Sequence, residues 1–395
     1  MQEPKPFTPI ARTNWRNENV LFGIKPKDRL QHIYCLGKTG AGKSTLLINM
    51  ALDDIYKGHG VCIIDPHGDT VSAILERIPA HRMGDVVRFD ATKLESLPAY
   101  NPLHGIPEHQ RQLVASEMVQ TFKKMFVDSW GNKLEYILRF CILTLLDYPE
   151  GTLLDIHALL IDRHFRAKVL QHTKNPYVID FWTKEYALYT PNIQAATILP
   201  ILNKIGVLLA NDTLRGIFGQ QQSISLAECM NGNKILLCNL SKGIIGEDIS
   251  TVLGSFLTTG IQTTAMRRTS VPETERTPFY LFVDEAHNYL SASFATMLSE
   301  IRKFSVGLFI THQYLDQLEP DVKSAILGNV GTLICFRLSL SDSKVMEKEF
   351  YPVFDYEDFM NLNNHHIYVK LLIDGTVSRP FSATTEPMIP ALHKK

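Results

Sequence analysis

The sequence predicts an α/β chain with a mainly parallel sheet and an all-α segment inserted into it. Two patterns carry that expectation. Short runs rich in Val, Ile and Leu alternate with helix-length segments over residues 31–106 and 219–385. That alternation is how a parallel sheet covered on both faces reads. Between them, residues 107–218 show apolar positions spaced near 3.6 residues and no clear strand.

The elements follow in order. Residues 1–30 are polar and proline-rich and read as an N-terminal arm. Ile33-Tyr34-Cys35-Leu36 reads as a buried strand, and Leu46, Leu47, Ile48, Met50 and Ala51 as the apolar side of a helix. Strands are expected at Val61–Ile64 and Asp85–Asp90, with a helix between them reaching about Ile78. Helical spacing then covers 107–126, 133–147, 153–173, 176–188 and 192–210, punctuated by Pro149, Gly151, Pro176 and Pro191. Strands return at Lys234–Cys238, "FYLFV", "VGLFITHQ" and "GTLICFRL", with a helix at about Ile249–Met266 and another running from Glu285 to Arg302. "HIYVKLLIDGTVSRPFSA" reads as a closing hairpin that turns at Asp374-Gly375, and 386–395 as a tail.

Between the first strand and helix lies Gly37-Lys38-Thr39-Gly40-Ala41-Gly42-Lys43-Ser44, which fits G-x-x-x-x-G-K-S/T without a mismatch. Glycines let the backbone curl so that successive N–H groups face inward. With the helix N-terminus they suit the phosphates of ATP. Lys43 reaches the β- and γ-phosphates, Ser44 offers a hydroxyl to Mg²⁺, and Thr45 extends the polar helix start.

The strand Phe279–Val283 ends in Asp284-Glu285. Carboxylates at the end of a buried strand are costly unless they meet a cation or donors. Asp284 is placed to hold Mg²⁺, and Glu285 to act as the base that polarises water. Thr311-His312-Gln313 ends the next strand. Gln313 ranks above His312 there, because an amide can sense the γ-phosphate or orient water. Asp65, in "DPHGD", is either a turn acid or a contact of the same site, since ligands gather at strand C-termini.

Bulk properties exclude several classes. The net charge of −1 gives no argument for nucleic acid, so any DNA contact needs a local basic surface. The six cysteines form no C-x-x-C pair, which argues for buried thiols in a reducing cytoplasm and against zinc. The N-terminus has no signal-peptide core. Tyr136–Leu146 and Ala195–Ala210 are the most apolar stretches, and each falls short of the ~20 residues a span needs.

"GKTGAGKST", "DPHGD" and "VDEAHNYLSASFATMLSEIRKFSVGLFITHQYLDQL" together resemble the HerA–FtsK class of DNA-pumping ATPases, and within it the TraG/TraD/VirD4-type coupling proteins of conjugation and type IV secretion. "SWGNKLEYILRFCILTLLDYP" and "ILGNVGTLICFRLSLSDSKVMEKEF" extend the likeness, which spans roughly residues 20 to 385. The resemblance implies a RecA-like P-loop core, a homohexameric ring with DNA in its channel, and Arg302 reaching a neighbour's ATP. It also implies a relaxase, nuclease or secretion-channel protein as partner. Coupling proteins usually carry N-terminal membrane helices, and none is read here. The expectation is therefore a cytoplasmic protein that a partner recruits to the membrane.

The leading expectation is an ATP-driven DNA translocase, with Lys242, Arg267, Arg268 and Lys323 as candidate phosphate-gripping residues or ordinary surface charges. The alternative is a VirB4-like assembly or secretion ATPase that moves protein. A nucleotide-gated scaffold without hydrolysis is a third reading, against which Glu285 argues.

Overall fold

A computed structural model describes residues 6–126, 129–290 and 298–393. The chain divides into two compact units: residues 1–90, 226–244 and 264–395, and residues 91–225 with 245–263.

The first unit holds the sheet. Its strands are β1 (Thr8–Thr13), β2 (Leu21–Ile24), β3 (Ile33–Leu36), β4 (Gly60–Asp65), β5 (Val86–Asp90), β6 (Ile235–Asn239), β7 (Phe279–Val283), β8 (Val306–His312), β9 (Thr332–Cys335), β10 (His366–Lys370), β11 (Leu372–Ile373), β12 (Thr376–Val377) and β13 (Phe381–Thr385). Eleven of them form one sheet in the order β2-β1-β13-β10-β9-β3-β8-β7-β4-β6-β5. Pairing is parallel from β9 through β5 and antiparallel from β2 through β10 to β9. β3, β4, β7 and β8 are buried along their whole length, as two-sided cover requires. The helix Lys43–Tyr56 lays Leu46, Leu47, Met50, Ala51 and Ile55 into the core that includes Ile63, Phe282 and Phe309.

The arm expected at 1–30 is a correction. Residues 8–13 and 21–24 are strands, and β1 pairs with β13 in the register Ala11↔Thr385. β2 pairs with β1, and the strand that joins this pair to the rest of the sheet lies more than 300 residues away. The closing segment turns at Asp374-Gly375 as expected, and β11 pairs with β12 across it.

The second unit is helical and wider than 107–218. It takes in most of the helix Glu247–Met266, because Phe256 packs edge-on against Phe122 and Phe218 at 5.4 and 5.1 Å. Helices run at Arg111–Met125, Asn132–Asp147, Asp155–Ile161, Arg163–Leu170 and Pro191–Ala210. Trp182 Nε1 donates to Thr144 Oγ1 at 2.7 Å inside it. Pro191–Ala210 corrects the reading of 195–210 as too short. Its 20 residues, with a mean hydropathy of 1.6 over an 18-residue window, are long and apolar enough to cross a membrane by length and composition alone, a test that a core helix also passes. Its Lys204 is buried and donates to Ser129 Oγ at 2.9 Å.

All six cysteines are buried and free. The first unit also buries an ion pair, Arg29 Nη2 to Asp54 Oδ2 at 3.1 Å, both side chains at 1% exposure or less. Burial pushes the Asp54 carboxyl up and Arg29 pulls it back. The guanidinium lies 4.7 Å from the Tyr280 ring centre and 5.3 Å from that of Phe282. Removing one partner strands the other in a dry site. Arg29→Ala should therefore cost about 3–5 kcal/mol of stability in urea unfolding. A loss below about 1 kcal/mol would place this pair with exposed ones.

Candidate nucleotide site

The sheet register brings the chemical residues to one edge. Leu36 pairs with His312, Val283 with Ile310, and Asp65 with Asn239, so the carboxyl ends of β3, β8, β7, β4 and β6 lie together. The glycine-rich loop leaves β3, the acid pair leaves β7, and Gln313 leaves β8 at this edge.

The loop has the shape of an anion cradle. Gly42 takes φ +123, and a Cβ there would lie 2.9 Å from His365 Nδ1. Lys43 Nζ donates to Gly37 O and to Lys38 O, the latter at 3.0 Å. Burial lowers its pKa. An ammonium parked on its own loop's carbonyls is ready to exchange them for phosphate oxygens. Ser44 is exposed at the start of the helix, and Gly40, Ala41 and Thr45 complete the loop's curl and helix entry.

The acid pair is set by its neighbours. Asp284 is 5% exposed, and its Oδ1 accepts from Thr311 Oγ1 and from Glu285 N. Glu285 sits at φ 45, a left-handed conformation that costs a non-glycine residue of order 1 kcal/mol and clusters at functional sites. Its Oε1 accepts from Gln313 Nε2 at 2.6 Å and from His67 Nε2 at 3.1 Å, and its Oε2 from Lys242 Nζ at 3.3 Å. Burial alone would raise this carboxyl. The hydrogen bonds and charges of His67 and Lys242 outweigh burial and leave it below the usual range. Gln313 Oε1 in turn accepts from Thr39 Oγ1 at 3.1 Å, so one amide joins the loop to the acid. These side chains can hold a triphosphate and a divalent cation: the cradle and Lys43 for the phosphates, Ser44 and Asp284 for the cation.

Other expected residues fall elsewhere. Asp65 is the turn acid, accepting from His67 N at 2.8 Å and Val71 N at 2.9 Å, and the contact with the site is made by His67 instead. His312 is fully buried with no hydrogen-bond partner for either ring nitrogen, and burial drives its pKa well below the usual value. It is therefore a neutral ring packed 5.8 Å from Tyr34. Arg268 is no grip residue. It is 3% exposed and donates to the carbonyls of Met230, Thr277 and Phe304. Lys242 faces Glu285, and Lys323 Nζ lies 3.9 Å from Asp316 Oδ1. Arg267 is half-buried, and burial lowers its pKa.

The helix expected from Glu285 to Arg302 lies partly outside the described residues. Where described, the segment includes 3-10 turns at Ala286–Asn288 and Ile301–Phe304. Arg302 Nη1 donates to Gln31 Oε1 at 3.5 Å. Gln31 precedes β3 and Gly37 follows it, so Arg302 stands at the opposite sheet edge, roughly 20 Å from the loop by strand rise. The carbonyls of Lys303 and Phe304 accept from Arg276 and Arg268, which fix this turn.

A family model for the type IV secretion-system coupling protein DNA-binding domain matches residues 21–350. The chain belongs to this family. No curated protein shows significant sequence similarity to it. Among solved structures, it is similar to the plasmid coupling protein TrwB in complex with ADP and Mg²⁺, at 16% identity and a TM-score of 0.68 over 99% of this chain and 97% of that one. TrwB in complex with the ATP analogue ADPNP matches at 16% identity and 0.65, over 94% and 89% of the two chains. VirB4 of Thermoanaerobacter pseudethanolicus matches at 15% identity and 0.64, over 95% and 96%. At these identities the structural likeness speaks for the P-loop NTPase fold, which the coupling-protein chain shares with both.

Proposed function

We propose that this coupling-protein family member is an ATPase that moves DNA through a homohexameric ring. The observation that supports this most is the Thr39–Gln313–Glu285 chain of hydrogen bonds, which joins the phosphate loop to an acid pair at one sheet edge. TrwB, of the same fold, binds ADP with Mg²⁺.

The roles follow from position. The loop 37–45 and Lys43 cradle the phosphates of ATP. Ser44 and Asp284 hold Mg²⁺, which when bound neutralises charge developing on the phosphoryl oxygens. Thr311 keeps Asp284 aimed. Glu285 polarises the attacking water, and Gln313 reports occupancy of the loop to Glu285. Arg302 completes the site of a neighbouring subunit, since its own loop lies across the sheet. The VirB4 likeness favours a second reading, a motor that moves protein.

DNA separates the two readings. ATP turnover should rise on adding DNA, and binding should weaken steeply with salt as counterions are released. Turnover indifferent to single- and double-stranded DNA at low salt would favour the protein-moving alternative.

Nucleotide binding and hydrolysis should separate by mutation. Lys43→Ala should abolish binding of a fluorescent ATP analogue. Glu285→Gln should bind it as wild type does and lose turnover by about 10²-fold or more, the value of a general base. Near-normal turnover in Glu285→Gln would assign the base elsewhere.

Arg302 is tested by mixing two inactive variants, Lys43→Ala and Arg302→Ala. Only mixed rings place an intact loop beside an intact Arg302, so activity should partly return. An arginine supplied in trans is worth ~10³-fold or more in rate. A fully active Arg302→Ala enzyme, or no recovery in rings shown to be mixed, rules out the trans role.

A further inference from the structure

Glu285 is held more tightly than a group that must meet water. A carboxylate oxygen offers about two lone-pair sites, and Gln313 and His67 fill both on Oε1. Oε2 is the oxygen left for water, and Lys242 Nζ takes one of its two sites at 3.3 Å, setting a cation against the charge that would draw a proton from water. The two side chains are only 18% and 13% exposed, so solvent screens this pair weakly. It is also the longest of the three contacts, and so the one that yields first.

Lys242 opens the short turn Lys242–Ile245 that follows β6. The backbone of this turn is anchored. Leu240 N and Lys242 N donate to Asp65 O and Pro66 O, each at 2.9 Å. Beyond the anchor, Gly243, Ile244 and Gly246 are exposed, Ile244 at 67%. The ammonium therefore rides on a flexible four-carbon stem between a buried acid and an open surface. Four rotatable bonds give the ammonium a range of positions about its anchored backbone.

We propose that Lys242 is a latch on Glu285: it neutralises the oxygen that must engage water until a nucleic-acid phosphate at the exposed turn takes the ammonium away. This rests on the reading of the chain as a DNA-dependent ATPase. One cation faces two competing oxyanions, so the exchange trades one charge-assisted contact for another. The lysine that sequence alone suggests as a phosphate grip has a partner in both states. DNA engagement and water activation are then linked through a single side chain, without a relay across the fold.

The experiment is steady-state ATP turnover of the full chain with and without an oligonucleotide, for wild type, Lys242→Gln and Lys242→Arg. Lys242→Gln should raise the DNA-free rate about tenfold, the equivalent of one charge-assisted hydrogen bond of roughly 1.4 kcal/mol. DNA should add little to that rate. Lys242→Arg keeps the charge and should keep both the low basal rate and the response to DNA. A DNA-free rate in Lys242→Gln at or below wild type overturns the latch. Loss of ATP-analogue binding in that variant also overturns it, because the latch leaves the phosphate loop untouched. An equal rise in Lys242→Arg overturns it as well. The DNA reading is judged on wild type alone, whereas the basal rate of Lys242→Gln needs no DNA, so the two failures are distinct.

Discussion

The parallel register of the central strands is the constraint on which the rest depends. A strand pair such as β3 and β8 cannot slip by one residue without turning its side chains to the other face. Both are buried along their whole length, so a slip would set packed side chains against the wrong layer. Fixed register therefore fixes which residues emerge at the carboxyl edge. Loop, acid pair and amide come from β3, β7 and β8, yet they meet as though sequence had placed them side by side.

That edge concentrates polar atoms where water is scarce. Asp65 and Asp284 are almost wholly buried and survive because backbone N–H groups and the Thr311 hydroxyl satisfy them. Lys43 meets the same demand by donating to its own loop. The site is thus held in shape by internal hydrogen bonds that a ligand's oxygens can replace. Gln313 differs from these groups because its two ends serve different partners, Thr39 and Glu285. Its side chain therefore links the loop to the acid by two hydrogen bonds.

Much of this was legible in the sequence. The glycine-rich loop, the Asp284-Glu285 strand end and Gln313 each sit where a hydrophobic run stops, and that boundary is a local signal. The alternation of strands and helices was local too. What escaped was long-range. β1 is a half-buried strand next to the sheet edge, and its partner β13 lies more than 300 residues on, so polarity and prolines read as an arm. Lys242 and His67 reach Glu285 from separate loops, and no spacing connects them. Arg268 read as surface charge because arginine is mostly exposed. Only the fold brings three carbonyls around it.

The pairing of β1 with β13 also bears on how the chain is made. Ala11 finds Thr385 only after almost the whole sequence has left the ribosome. Until then β1 and β2 have only each other, and β13, once laid on β10, presents an unpaired far edge that β1 must cover. Such an edge is a template for the wrong strand. Closing it means searching across a loop of several hundred residues, a slow step in which intermediates accumulate. The parallel centre that carries the nucleotide site can assemble earlier than the antiparallel flank that seals it. Synthesis thus leaves a window in which the centre of the sheet is present but its border is open.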